Sequence, residues 1–172
     1  MFIVALPLMR RRVVLGAKIV KLRGFVTAGL LALTAVAPAN AQAGRPNTLF
    51  ACSVGKKNVS VTAVGTDLIY RFGAADKVEM SIVGGPESGT VYWMAQRYAG
   101  MEYQLRFKNG DYSYIVYSME GNGNTGVSPV SGLVVMQGAK RLADLSCTKH
   151  AEFGVSYDFD KLPEDTEAYS AM

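Results

Sequence analysis

The sequence predicts an all-β protein: a small closed antiparallel β-barrel of about eight strands, with a β-sandwich as the alternative. Three observations carry this reading. Runs rich in Val, Ile, Thr and Tyr alternate apolar and polar residues between positions 48 and 149, the period-two pattern of a half-buried strand. The runs recur about every 10–12 residues between turns made of Gly, Asn and Asp, the spacing of antiparallel meanders. No helical period lies between them, and parallel strands need crossover segments for which there is no room.

The strands follow in order. Residues 48–54 (TLFACSV) come first, then 58–64 (NVSVTAV) and 68–72 (LIYRF), the latter two joined by Gly65-Thr66-Asp67. Residues 77–83 (KVEMSIV) alternate again, and 84–89 (GGPESG) form a loop of turn residues. Residues 90–94 (TVYWM) are aromatic and β-branched. Segments 102–107 (EYQLRF) and 112–119 (YSYIVYSM) flank Lys108-Asn109-Gly110-Asp111, where Asn-Gly signals a hairpin because both residues tolerate positive φ. Residues 120–131, with the run Gly-Asn-Gly-Asn, read as a long mobile loop. The last hairpin joins 132–137 (GLVVMQ) to 140–147 (KRLADLSC). Residues 150–172 hold six acids and one lysine and read as an acidic, flexible tail.

The first 41 residues read as a cleaved signal peptide. Six basic residues (Arg10, Arg11, Arg12, Lys18, Lys21, Arg23) and no acid precede an uncharged stretch at 24–37, then Pro38-Ala39-Asn40-Ala41-Gln42-Ala43. Cuts after Ala41 or Ala43 both fit, and Met9 is an alternative start. The uncharged stretch is shorter than the ~20 apolar residues of a membrane-spanning helix, so no stable membrane anchor is expected after cleavage. The expected location is the periplasm. Export changes the charge balance. The whole chain carries a formal +4, whereas residues 42–172 hold 12 basic and 14 acidic residues, a net −2. The loss of that basic excess removes the main reason to expect a nucleic-acid partner.

Cys52 and Cys147 are the two cysteines. In an oxidising compartment they are expected to pair, joining the first and last strands as barrel closure would. Catalytic chemistry finds little support. His150 is the lone histidine, with no nucleophile elbow, and paired cysteines supply no thiolate. The carboxylates of Asp67, Asp76, Glu79, Glu87, Glu102, Asp111 and Glu120 read as solvated surface charges rather than as a glycosidase pair. No cofactor, metal site or catalytic residue is expected. The aromatic residues Tyr92, Trp93, Tyr98 and Tyr103 read as core packing or, failing that, an exposed apolar patch.

One short motif stands out. Ser88-Gly89-Thr90-Val91-Tyr92 has the form S-G-x-x-Y at a turn-to-strand junction, and Lys108 follows in Phe107-Lys108-Asn109-Gly110. With a cysteine in the first strand and another near the end, this order resembles the bacterial periplasmic and membrane-bound inhibitors of c-type lysozyme. Those proteins are small exported β-barrels with a comparable disulfide. Their S-G-x-x-Y loop and a later Lys-Gly loop enter the lysozyme cleft, where the serine and lysine meet the catalytic carboxylates. The resemblance implies that Ser88 donates a hydrogen bond to such a carboxylate, that Gly89 and Tyr92 shape the loop, and that Lys108 adds a charge-assisted contact. Val91 stands where the family usually has Arg, and Asn109 separates Lys108 from Gly110. The chain also looks like a group of small exported bacterial β proteins without an assigned function. The expected function is thus that of a non-enzymatic binding protein. Its partner would be a lysozyme-type glycoside hydrolase, with a structural or interaction role toward another envelope protein as the alternative.

Overall fold

The computed structural model describes residues 46–97 and 100–167. The signal-peptide reading, Tyr98 and the last five residues lie outside that range. The described chain forms nine strands: β1 (Asn47–Val54), β2 (Lys57–Val64), β3 (Asp67–Ala74), β4 (Lys77–Gly84), β5 (Val91–Arg97), β6 (Met101–Asn109), β7 (Tyr112–Met119), β8 (Val130–Gln137) and β9 (Lys140–Ser146). A short 3-10 turn, Phe159–Lys161, follows. Each strand pairs antiparallel with the next, in two sheets ordered β1-β2-β3-β4 and β5-β6-β7-β8-β9.

The expected closed barrel is therefore corrected to its alternative, a sandwich-like pair of sheets. The physical reason lies at the edge strands. No ladder joins β4 to β5. The free edge of β5 is occupied by the C-terminal segment: Trp93 N donates to Pro163 O at 2.9 Å and Asp165 N to Trp93 O at 2.8 Å. The free edge of β1 meets the same segment, through Thr148 N to Ser53 O at 2.8 Å and Gly154 N to Leu49 O at 2.7 Å. Exposed edges invite aggregation; here one strand-like strap covers both. Residues 150–167, expected as a free tail, thus run back along the sheets, and Leu162 joins the buried core.

Alternation along the strands builds that core. Val59, Val61, Leu68 and Tyr70 from the first sheet face Val91, Leu105, Phe107, Val116 and Leu133 from the second, and all are buried. Each large apolar side chain taken out of water this way contributes about 1.5–3 kcal/mol. Cys52 and Cys147 form the expected disulfide, closing a span of 95 residues, for which chain entropy gives about 4–5 kcal/mol. The disulfide is compatible with an exported protein. Among the described residues no helix is long and apolar enough to cross a membrane. The Asn109-Gly110 hairpin forms as expected, with Gly110 alone in the left-handed region at φ 59°.

The opposite face of the second sheet is unusual. There β6 presents Glu102, Gln104 and Arg106, and all three are buried. Glu102, read from the sequence as a solvated charge, accepts hydrogen bonds from Gln96 Nε2 at 2.7 Å and Gln104 Nε2 at 2.5 Å. Strict alternation in EYQLRFK is what misled: a polar face of a strand is normally wet, and this one is covered.

Candidate functional site

The loop 84–90 connects the two sheets. Its opening glycines sit in close quarters. A Cβ on Gly84 would stand 2.3 Å from Thr90 Oγ1, and one on Gly85 would stand 2.7 Å from Asp67 Oδ1. The loop can fold this tightly onto the β2–β3 turn because neither position carries a side chain. A reverse turn closes from Ser88 N to Gly85 O at 3.0 Å. The Ser88 hydroxyl donates to Gly85 O at 2.7 Å. It accepts from Gly85 N at 3.1 Å, Thr90 N at 3.2 Å and Thr90 Oγ1 at 2.8 Å. Gly89 follows at φ 64°, a conformation that glycine adopts without steric cost. The Tyr92 hydroxyl reaches back and donates to Gly89 O at 2.9 Å, bracing the loop from β5.

Lys108 stands against this loop. Its backbone N donates to Thr90 O at 2.8 Å, and its ammonium lies 5.5 Å from the centroid of the Tyr92 ring, within cation–π range. Strand pairing puts Tyr92 opposite Arg106, two residues from Lys108, so motif and lysine share one face and one rim. Ser88 and Gly89 are exposed, and Tyr92 and Lys108 are half-buried. A concavity of about 420 Å³ opens beside Lys108, between Gly110, Ser113, Gln137 and Glu167.

Sequence reasoning missed what holds Lys108. Its ammonium pairs with the Glu167 carboxylate. Arg106 Nη1 lies 3.2 Å from the other oxygen of the same carboxylate, and Arg106 Nη2 donates to Glu167 O at 3.2 Å. Arg106 Nε is bonded to Asp165 Oδ2 at 2.6 Å, both side chains only 2% exposed. The Lys108 hydrogen bond holds the Glu167 carboxyl below its ordinary pKa, against the opposing effect of partial burial and with Arg106 assisting. The signal was present in composition: six acids follow a core with a basic surplus. Nothing in their spacing says which cation each acid meets.

A second concavity lies on the inner side of the second sheet. It measures about 270 Å³ and is lined by Trp93, Tyr103, Phe153 and Phe159, with Glu120 and Glu152 beside them. The Trp93 ring lies near-parallel to Tyr103 (centroids 5.8 Å apart, planes at 14°) and to Phe159 (4.3 Å, 17°), and Phe153 meets it edge-on at 86°. Trp93 and Tyr103, expected as core or surface patch, are thus packed but only partly buried, whereas Tyr92 points to the opposite face. The Tyr103 hydroxyl is raised above its ordinary pKa by burial first, then by the charge of Glu120 and a hydrogen bond with it; Arg97 opposes and Glu152 adds to the rise.

Both cysteines are consumed in the disulfide, so neither is a nucleophile. Among the described residues no three His, Cys, Asp or Glu side chains gather as a metal site would need. What the rim offers is a hydroxyl and an ammonium donor, each of which holds an internal acceptor. Comparison with protein-family models, curated proteins and solved structures gave no match.

Proposed function

We propose that the chain is an exported, non-enzymatic binding protein that inserts the 84–90 loop and Lys108 into the acidic cleft of a lysozyme-like glycoside hydrolase. The observation that supports this most is the convergence of the S-G-x-x-Y loop and Lys108 on one rim, linked by the Lys108 N to Thr90 O hydrogen bond. In a cleft holding two carboxylates, one would accept from Ser88 and the other would pair with Lys108.

Both groups hold internal acceptors in the free protein. The Ser88 proton lies on Gly85 O and the Lys108 charge on Glu167. Binding is therefore an exchange: each donor trades an internal oxygen for one on the partner. Such exchanges yield modest net energy per bond, about 0.5–1.5 kcal/mol for a neutral pair and about 1.5–3 where a charge is involved. Lys108 is accordingly the larger contributor.

The test is lysozyme activity titrated with the purified protein, beside Ser88→Ala and Lys108→Ala. Inhibition that Lys108→Ala weakens by about tenfold or more, some 1.4 kcal/mol, supports the reading. No inhibition of c-type, g-type or i-type lysozyme overturns it. Ser88→Ala also removes the hydroxyl that folds the loop, so it is read together with circular dichroism and a melt. The second reading, an envelope interaction module with another ligand, is favoured by the aromatic concavity on the other side of the second sheet.

A further inference from the structure

We propose that the concavity walled by Trp93, Tyr103, Phe153 and Phe159 binds an organic ammonium group on a small apolar body, with Glu120 and Glu152 as its counter-charges. The site is independent of the rim. Trp93 and Tyr103 alternate with Tyr92 and Arg106 along their strands and face the other way.

Size comes first. A volume of about 270 Å³ holds about nine waters at ~30 Å³ each, so the ligand has about that many heavy atoms. Shape comes second. Trp93 lies near-parallel to Tyr103 and Phe159 and meets Phe153 edge-on, so the wall is a packed aromatic cluster. Such walls suit a compact apolar group.

Charge decides the rest. Glu120 and Glu152 both line the concavity, and both act on the Tyr103 hydroxyl. Among the described residues neither is ion-paired to a lysine or arginine; the nearest such contact is His150 Nε2, 3.5 Å from Glu152 Oε1. Arg97 acts on Tyr103 from nearby but does not line the concavity, whose lining holds two carboxylates and no basic residue. Aromatic rings attract cations through their quadrupole, and ammonium-to-carboxylate hydrogen bonds are of the stronger, charge-assisted kind. An apolar pocket with a few convergent polar groups is the usual form of a small-ligand site.

Trp93 is the one tryptophan in the chain, so intrinsic tryptophan fluorescence reads this pocket directly. The probes are 2-phenylethylammonium, an aromatic amine of the expected size; n-pentylammonium, its aliphatic counterpart with the chemistry of a lysine side chain; and 2-phenylethanol, the neutral analogue. Saturable change with either cation, at least tenfold weaker with the alcohol, supports the proposal, and the tighter cation identifies the source. Glu120→Gln with Glu152→Gln is expected to weaken binding about tenfold or more, whereas Asp76→Asn, at an exposed acid in the β3–β4 turn, leaves it unchanged. Arg97→Gln is expected to tighten it. Equal binding of the alcohol, or retention of affinity in the double variant, overturns the ammonium assignment. No response to any probe overturns the site. None of these outcomes depends on lysozyme inhibition.

Discussion

Replacing Asp165 by alanine is expected to cost the fold about 3 kcal/mol. Arg106 and Asp165 are each only 2% exposed and meet at 2.6 Å. Removing one partner of a buried pair leaves the other charge desolvated, which costs about 3–5 kcal/mol. The low end applies because Glu167 still faces Arg106, through Oε2 at 3.2 Å and its carbonyl at 3.2 Å. The variant also loses the Asp165 Oδ1 that accepts from Glu167 N at 3.1 Å. A domain of this size shifts by about 4 °C per kcal/mol, between the ranges for smaller and larger domains. The melt should therefore fall by about 10–15 °C, and urea midpoints followed by circular dichroism should agree. The pair Arg106→Met with Asp165→Leu separates two causes. Replacing a buried ion pair by packed apolar groups is often neutral or stabilising, so the double variant should recover most of the loss. A loss under about 1 kcal/mol in Asp165→Ala would mean the pair is solvated, since surface pairs are worth about that or less. A double variant as unstable as the single one would assign the loss to packing of the strap, not to uncompensated charge.

Glu167 and Tyr70 each carry a shifted pKa with a measurable consequence. Glu167 has a folded pKa below its ordinary 4.5, chiefly through the Lys108 hydrogen bond, so its contribution is present above 4.5 and is lost as pH falls through the lower folded value. Glu167→Gln should remove that acid-side component of an unfolding-versus-pH profile; because Glu167 is 48% exposed, the neutral-pH cost should stay below about 1 kcal/mol, and an unchanged profile would refute the pairing. Tyr70 is buried with its hydroxyl lacking a partner among the described residues, and burial, with a smaller contribution from Tyr114, raises its pKa. Tyr70→Phe should stabilise by about 1 kcal/mol, since an unmade buried hydrogen bond costs about 1–3; destabilisation beyond about 0.5 kcal/mol, the usual scatter of neutral substitutions, would mean that the hydroxyl is bonded.

Strands were legible because their signal is local. Val59, Val61 and Ala63 alternate with Asn58, Ser60 and Thr62, and the pleat turns that alternation directly into one buried face. The Ser88 loop and Lys108 were linked only through the family resemblance; in the fold, β5–β6 pairing sets Tyr92 opposite Arg106, two residues from Lys108. Two things were not legible. Whether a ladder closes depends on what competes for the β5 edge, and Pro163 and Asp165, some 70 residues on, leave no periodicity that announces it. The burial of Glu102, Gln104 and Arg106 was hidden for a related reason: alternation says which residues share a face, not whether that face is wet.

The open ladder and the burial of Arg106 share one physical source. The strap supplies the backbone groups that finish the β5 edge and, two residues later, the carboxylate that holds Lys108. Trp93 N and O take Pro163 and Asp165, Asp165 anchors in Arg106, and Glu167 then arrives between Arg106 and Lys108. Edge protection and control of the rim are therefore mechanically coupled. Loosening Asp165 should free Lys108 as well as destabilise the fold, whereas Glu167→Gln should free Lys108 with the edge intact. In a lysozyme titration Glu167→Gln should thus inhibit more strongly than the native chain, by up to about tenfold if one charge-assisted bond of about 1.5 kcal/mol is no longer given up on binding. Weaker inhibition by Glu167→Gln would show instead that Glu167 orients Lys108 for its partner rather than withholding it.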